Sequence, residues 1–576
     1  MTKQNALAAK TRTLEKNQNG YFHRSGSICA SEFGWFAFVS SCLRGKTPAL
    51  LRSFLVPWCP GGLFLLCSVP AVANDLPLAT PAEGASVQYQ QHCASCHGAD
   101  RLGGIGPALL PENLERLKRT DALKLISAGR SATQMPGFAD KLAAAQIEAL
   151  VQWIYAPLAQ TPLWEREQIE ASRVRQRGAG SLPDRPSFAA DPLNLFVVVE
   201  AGDHHATILD GDRFEVLARF PTRYALHGGP KFSPDGRYVY FASRDGWISK
   251  YDLWNLTMVT EVRAGINTRN AAVSADGKFV AVGNYLPHTL VILNASDLSV
   301  LRIIPVQDIK GKSSRVSAVY DAAPRRSFVV ALKDIPEIWE ISYDPNAEPV
   351  HEGLVHDYRM NEAIAAPGQF TPRRTLLSEI LDDFFFDPSY AYVIGAAREA
   401  GKGQVVNLDV RRKIADVELP GLPHLGSGIT WEREGRLVMA TPNLKAPLIS
   451  VIDMKSWRTV KQIATLGPGF FLRSHENTPY AWTDAFNSAD KDALQVIDKR
   501  TLEVVKTLRP SPGKTAAHVE FTRDGRYALA SVWEDDGAIV VYDATTLEEV
   551  KRLPMRKPVG KYNVFNKITR SSGTSH

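Results

Sequence analysis

The chain reads Phe232-Ser233-Pro234-Asp235-Gly236-Arg237-Tyr238-Val239-Tyr240-Phe241, then repeats itself twice: Val273-Ser274-Ala275-Asp276-Gly277-Lys278-Phe279-Val280-Ala281-Val282, and Phe521-Thr522-Arg523-Asp524-Gly525-Arg526-Tyr527-Ala528-Leu529-Ala530. In each copy Asp-Gly sets a tight turn ahead of an apolar run rich in β-branched and aromatic residues, the pattern of a hairpin. Companion runs at 249–253, 291–294, 405–409, 451–454, 496–499 and 540–544 carry Asp or Asn at or near their ends. A repeat of roughly 40–50 residues made of short strands is the signature of a propeller blade. Units beginning near residues 194, 232, 273, 322, 385, 431, 478 and 521 predict eight of them. No helical crossovers separate the strands, which argues against a doubly wound sheet.

Toward the N-terminus this pattern ends near residue 191. Residues 159–190 are rich in Pro, Arg and Gln and read as a linker or an ordered arm across a domain. Before them stands Cys93-Ala94-Ser95-Cys96-His97. That spacing puts two thiols on one turn, ready to add to the two haem vinyl groups, with an imidazole alongside as proximal iron ligand. A thioredoxin-like pair would need a βαβ setting, and a zinc half-site a second ligand pair; neither pattern is in the sequence. Met135 is the expected sixth ligand, since no other Met lies between Met1 and Met258. His/Met ligation raises the potential and suits electron transfer. Gly103-Gly104-Ile105-Gly106-Pro107 is expected to bring backbone against the haem edge. A closing helix is expected from about residues 140–142, with Ile147, Leu150, Val151 and Ile154 on one apolar face. This part resembles a small class I cytochrome c. The predicted organisation is therefore an all-α cytochrome c domain over 74–158, the linker arm over 159–190, an all-β eight-bladed propeller over 191–570 and a tail over 571–576.

The 576 residues carry 67 basic and 61 acidic side chains, an excess of six. All of that excess lies in residues 1–73, which hold eight Lys and Arg against two acids. The basic balance is therefore no argument for a nucleic-acid partner. Residues 49–73 read ALLRSFLVPWCPGGLFLLCSVPAVA: a basic residue, an apolar stretch and an A-x-A cleavage signature. Pro57, Pro60 and a Gly pair interrupt the stretch, which excludes a permanent span of about 20 apolar residues. Residues 1–73 are thus read as a signal segment with an overextended start. The expected location is the periplasm, with no membrane span in the mature form.

Residues just ahead of an inner strand border a propeller's channel mouth. His227, His424, His475 and His518 are all expected there, with Arg244 and Arg269 near enough to hold ligand carboxylates bidentately. Tyr285 is a further expected lining residue. Four histidines at equivalent blade positions point to a tetrapyrrole site.

The pairing of a CxxCH domain with an eight-bladed propeller resembles the cytochrome cd1 family. The matching phrases are Arg223-Tyr224-Ala225-Leu226-His227, Ser243-Arg244-Asp245, Tyr251-Asp252-Leu253-Trp254 and Gly560-Lys561-Tyr562-Asn563-Val564-Phe565-Asn566. The resemblance covers nearly the whole chain after residue 73. It implies a non-covalent haem d1 or dihydro-haem d1 beside the covalent haem c, with His227 on its iron and Arg244 and Arg269 near its carboxylates. Nitrite-reducing members carry two distal histidines. In the matching segments Arg325 stands within 324–330 and Asp382 within 380–385. Arginine stays protonated and an ordinary Asp is already ionised, so neither donates a proton near neutrality.

That departure, with Gly421-Leu422-Pro423-His424-Leu425-Gly426, resembles the dihydro-haem d1 dehydrogenase branch. That branch turns a propionate side chain into an acrylate in the last step of haem d1 biosynthesis, within denitrification. The resemblance implies an oxidoreductase; His424 or His475 is the expected base, since an imidazole suits that role near neutral pH, with electrons leaving through haem c to a small periplasmic acceptor. It also implies cytochrome cd1 nitrite reductase as the recipient of haem d1. Two other activities stay open: a nitrite reductase using other donors, and a non-catalytic haem d1 carrier.

Overall fold

Three copies of one turn show why the repeated phrase folds as it does. Ser233 Oγ donates to Asp235 at 2.5 Å, Ser274 Oγ to Asp276 at 2.6 Å, and Thr522 Oγ1 to Asp524 at 2.7 Å. Each Asp then accepts from the backbone N–H two residues on, at 3.0–3.1 Å. Gly236, Gly277 and Gly525 follow with φ of 72°, 70° and 73°, a conformation that costs an L side chain energy. The second turn of each blade uses a different device. Asp252, Asp453, Asp498 and Asp543 cap the backbone N–H groups two and three residues on. The hydroxyl-x-Asp-Gly and strand-ending Asp phrases are thus two capping motifs, one for each end of a blade.

The computed structural model describes residues 81–569 apart from 105, 116, 130–134, 161, 179, 353–363 and 397–400. The segment expected over 1–73 and the tail expected over 571–576 lie outside the described residues. The strands form an eight-bladed propeller of antiparallel sheets. Innermost strands are Lys231–Phe232, Asn267–Val273, Val316–Ala322, Asp383–Phe386, Ile429–Arg433, Leu472–Ser474 and Ala516–Phe521 in blades two to eight. The unit read as starting near 194 supplies only three strands. Its inner strand is Pro558–Asn563, from the other end of the chain, paired with Leu195–Glu200. Asn563 donates to Asn194 at 3.0 Å, and a short helix, Val564–Thr569, packs under the seam.

Between blades the faces are apolar and fully buried. Ala271, Val280 and Val282 meet Tyr240 and Ile248; Phe328, Val330 and Trp339 meet Leu290 and Ile292. Each buried Val, Ile, Leu or Phe here contributes about 1.5–3 kcal/mol, so the ring closes on its core and leaves the axis to polar residues. The arm is ordered where described. Its helix Arg166–Ala171 buries Ile169 completely, and Val174–Arg175 adds a fifth strand to blade two opposite Thr260 and Glu261.

The helices Pro81–His92, Ala94–His97, Arg119–Ala128 and Ala144–Ile154 make the small all-α cytochrome c part. The closing helix begins at Ala144, not near 140: Gln146 accepts the Ala143 N–H at 2.8 Å and so fixes the first turn there. Ile147, Leu150, Val151 and Ile154 are all buried on its inner face. Arg101 ties off the other end by donating to the Trp153 and Ala156 carbonyls at 2.9 and 3.1 Å. Among the described residues no helix is long and apolar enough to cross a membrane.

Candidate functional site

Cys93 and Cys96 are half-buried free thiols flanking one turn of helix, and His97 follows them, buried. Burial pushes the Cys93 thiol up to about 11. His97 Nδ1 lies 2.8 Å from the Pro107 carbonyl, so Nδ1 carries the proton and Nε2 keeps its lone pair. A methyl group on Gly106 would sit 2.5 Å from His97 Cε1, so glycine is what lets the loop close over the ring. Tautomer, thiols and glycine loop all fit a covalent haem. Met135, the expected sixth ligand, packs half-buried at the edge of the core that holds Tyr89, Phe138 and Leu142.

The propeller axis carries a closed belt with a contribution from every blade. His227 lies 2.7 Å from Arg269 Nη1, and Arg269 donates to the Ser317 carbonyl at 3.0 Å. Three residues along that strand, Tyr320 donates to Asp383 at 3.0 Å, and Asp383 accepts from the Gly426 N–H at 3.0 Å. His424 ring-stacks edge-on with Phe470 at 4.6 Å, Phe471 with His518 at 4.7 Å, and His518 with Tyr562 at 5.0 Å. Tyr562 packs over Gly229, where a Cβ would fall 2.9 Å from its ring, and the belt returns to His227.

Around His227 the polar groups are engaged. Nδ1 lies 2.7 Å from the Arg269 carbonyl; Arg244 Nη2 donates to Nε2 at 2.9 Å. Burial first, then Arg244 and Arg269, hold this imidazole well below its ordinary value, so it is neutral. Burial would raise Tyr285, but Arg269, Lys333 and Arg244 together bring its phenol below the usual range. Arg315 and Lys333 lie 5.6 and 5.5 Å from the centre of the Tyr285 ring. Lys333, buried, is ion-paired with Asp382.

Farther along the channel the balance differs. Arg473, Lys561 and Lys567 surround one buried carboxylate, Glu520. Arg473 Nε, Glu520 Oε2 and both ring nitrogens of His518 are buried without a hydrogen-bond partner. Burial, then Lys561, Arg473 and Lys567, depress His518 well below its ordinary value. His518 itself stands on a bulge of its strand with φ of 52°, which turns it out of the ladder. His518 is thus a neutral imidazole with no hydrogen-bond partner at either ring nitrogen.

Two sequence expectations place residues wrongly. His475 is not at the channel mouth. It follows the inner strand Leu472–Ser474 and fills the turn at the opposite end of blade seven, fully buried against Gly525, where Nδ1 accepts the Asn477 N–H at 3.1 Å. It occupies the place Pro234 holds in blade two. Arg325 does not face the axis either; it pairs with Glu340 at 2.8 Å and Asp409 at 2.6 Å. The group presented to the axis from that blade's neighbouring strand end is Lys333. The structure brings together His227, Arg244, Arg269, Tyr285 and His424. It adds Lys333, Arg473 and Tyr562, which no sequence argument singled out. His518 was legible only as one channel histidine of four.

Fold and site define a class: a cytochrome c domain ahead of a propeller built to hold a tetrapyrrole. A family model for the cytochrome D1 heme domain matches residues 190–567, and one for the cbb3-type cytochrome C oxidase subunit III matches residues 79–154. The chain belongs to the cytochrome D1 heme domain family. It is 59% identical over 488 residues to the dihydro-heme d1 dehydrogenase of Pseudomonas aeruginosa, covering 85% of this chain and 95% of that protein. A solved structure of dihydro-heme d1 dehydrogenase NirN in complex with DHE matches with a TM-score of 0.75 and 58% identity, over 84% of this chain and all of that one. The nitrite reductase of Stutzerimonas stutzeri is more distant, 25% identical over 560 residues, 88% of this chain and 96% of that protein. The cofactors are haem c in the cytochrome c domain and haem d1 or dihydro-haem d1 in the propeller.

Proposed function

We propose that this chain is a periplasmic dihydro-haem d1 dehydrogenase that oxidises a propionate side chain of the tetrapyrrole to an acrylate in the last step of haem d1 biosynthesis. The observation that carries this reading is the channel's donor set. A ring-binding belt is present, while the two positions matched to nitrite-protonating histidines hold Asp382, locked to Lys333, and Arg325, turned away from the axis. The 59% identity to a dihydro-heme d1 dehydrogenase supports it independently.

In this reading His227 would hold the substrate's iron through Nε2 once Arg244 and Arg269 turn from that nitrogen to the ring's carboxylates, with its tautomer set by the Arg269 carbonyl. Arg244 and Arg269 stand beside it for the ring's carboxylates, and Tyr285 lines the same wall. Arg473 holds the carboxylate of the reacting side chain, fixing it beside the base. We assign the base to His518, whose ring nitrogens are both available, ahead of His424, whose Nδ1 is held at 2.6 Å by the Phe470 carbonyl. His475, in the turn beyond Leu472–Ser474, lies away from this site. Turning CH2–CH2 into CH=CH releases two protons and two electrons. Cys93, Cys96, His97 and Met135 would hold haem c, which would supply a one-electron acceptor, so a small external acceptor would take up electrons between transfers. Finished haem d1 then passes to cytochrome cd1 nitrite reductase.

The test is anaerobic loading with the dihydro-tetrapyrrole while its visible spectrum and the haem c bands are followed together. Product formation with haem c reduction is expected. Bound but unchanged tetrapyrrole would indicate a carrier, and nitrite turnover after loading haem d1 would indicate a reductase.

A further inference from the structure

Arg263 sits where the two cofactor-bearing loops meet. It ends the strand Thr257–Arg263 of blade two. Its Nε–H donates to the Asp245 carbonyl at 2.7 Å, and its Nη2–H donates to the Leu102 carbonyl at 2.6 Å. Asp245 follows Arg244, whose guanidinium reaches His227 at 2.9 Å. Leu102 lies in the loop after His97; the next residue, Gly103, donates its N–H to the His97 carbonyl at 2.9 Å. One guanidinium thus bridges the loop that follows the haem c ligand and the loop that flanks His227.

The surroundings hold that fork in place. Its flat face lies 4.7 Å over the Trp164 ring, and the indole N–H returns to the Arg263 carbonyl at 2.9 Å. Beside it, Ala108 and Leu110 of the cytochrome domain are buried against Ile266 and Leu286 of the propeller. Both acceptors are backbone carbonyls, so the geometry follows the loops themselves and not mobile acid side chains. The planar fork is pre-organised for two such bonds from separate nitrogens, whereas a lysine would have to bring one nitrogen within reach of both carbonyls.

We infer that Arg263 is a positioning residue that clamps the haem c loop to the tetrapyrrole loop and so sets the electron-transfer distance between the two sites. The direction of electron flow rests on the dehydrogenase reading above. The substrate side chain gives up two electrons, each crossing reduces ferric haem c to ferrous, and a one-electron oxidant, ferricyanide in the assay, must remove the first before the second crosses. Tunnelling rates fall exponentially with distance, so loss of the clamp slows this step while leaving tetrapyrrole binding intact.

The experiment compares the full haem c-loaded chain with Arg263→Met, which keeps the aliphatic stem on Trp164 and deletes both donors, and with Arg263→Lys. Titration with haem d1 is expected to give wild-type difference spectra and affinity within twofold in both. After anaerobic mixing with the dihydro-tetrapyrrole, haem c reduction is expected to slow tenfold or more in Arg263→Met and to recover in part in Arg263→Lys. Hydrogen exchange of the 102–110 amides is expected to rise in Arg263→Met. A wild-type reduction rate in Arg263→Met, or unchanged exchange, overturns the clamp. If the wild type itself leaves haem c oxidised, the dehydrogenase reading fails, and the exchange comparison still decides the clamp. Should Arg263→Met not fold, Arg263→Gln, which retains one donor, is measured on the same readouts.

Discussion

His227 and His518 face one channel from blades two and eight, both neutral through burial and neighbouring cations, yet they are held in opposite ways. His227 has its Nδ1 on a backbone carbonyl and its Nε2 faced by two guanidiniums; His518 has a partner at neither nitrogen. His97 and His424 follow the first pattern, each with Nδ1 on a carbonyl, at Pro107 and Phe470. The difference separates imidazoles whose tautomer and direction are fixed, as an iron ligand requires, from one free to take up a proton. Burial and a low pKa are common to both kinds, so the hydrogen-bond pattern is what tells them apart.

The sharpest break in this comparison is a pair of substitutions. His518→Asn is expected to lower kcat about 100-fold or more, the usual worth of a general base, with the haem d1 difference spectrum retained. His227→Ala is expected to do the reverse first, altering the bound spectrum and weakening affinity. Equal loss of binding in both variants would erase the distinction, and full turnover in His518→Asn would move the base to His424.

Next in size is the pH dependence. On that assignment His518 must be neutral to act, and its folded-state value lies well below the ordinary 6.5, because burial first and then Lys561, Arg473 and Lys567 oppose its protonation. Turnover is therefore expected to stay level as pH falls to 6.5 and to decline only below it. A pH–rate profile already half-lost at pH 7 would contradict an unpaired imidazole base in this setting.

His475 supplies the third test, because it shares His518's burial and its unpartnered Nε2 without the channel. His475→Ala is expected to lower stability by about 1–3 kcal/mol, the ordinary cost of a buried truncation, and to leave kcat unchanged. A melting curve and a turnover assay on one sample decide it.

That pair also shows how far sequence reading carries. The propeller, its eight blades and the CxxCH site were legible because each rests on local chemistry: Asp-Gly turns, strand-ending Asp caps, and two thiols on one turn. Position along an inner strand is not local. His424 precedes its strand by five residues, His518 lies within one, and His475 follows one, so three histidines a few residues apart in register fall at different depths. Lys333, Arg473 and Tyr562 were illegible for the same reason. Arg473 and Tyr562 are ordinary strand residues and Lys333 stands just past a strand's end, until eight blades bring them to one axis. Arg325 fell wrong because an alignment of phrases does not say which end of a hairpin faces inward.

The smallest effect concerns the same cytochrome–propeller seam that Arg263 bridges. Glu115 pairs with Arg315 at 3.2 Å, but its carboxylate is 58% exposed, and Arg315 already has a fork on Asp334. An exposed partner of an already satisfied guanidinium contributes about 0–1 kcal/mol, and salt screens it. Glu115→Gln is therefore expected to leave haem c reduction and the 102–110 exchange at wild-type values, with any change in melting temperature vanishing at high ionic strength. Arg263 differs because its acceptors are two backbone carbonyls at the domain junction, where no counter-ion replaces a lost N–H. If Glu115→Gln slowed haem c reduction as much as Arg263→Met, the seam would be held by charge and not by the fork, and the contrast between engaged and free groups would fail at the place where the two cofactor loops meet.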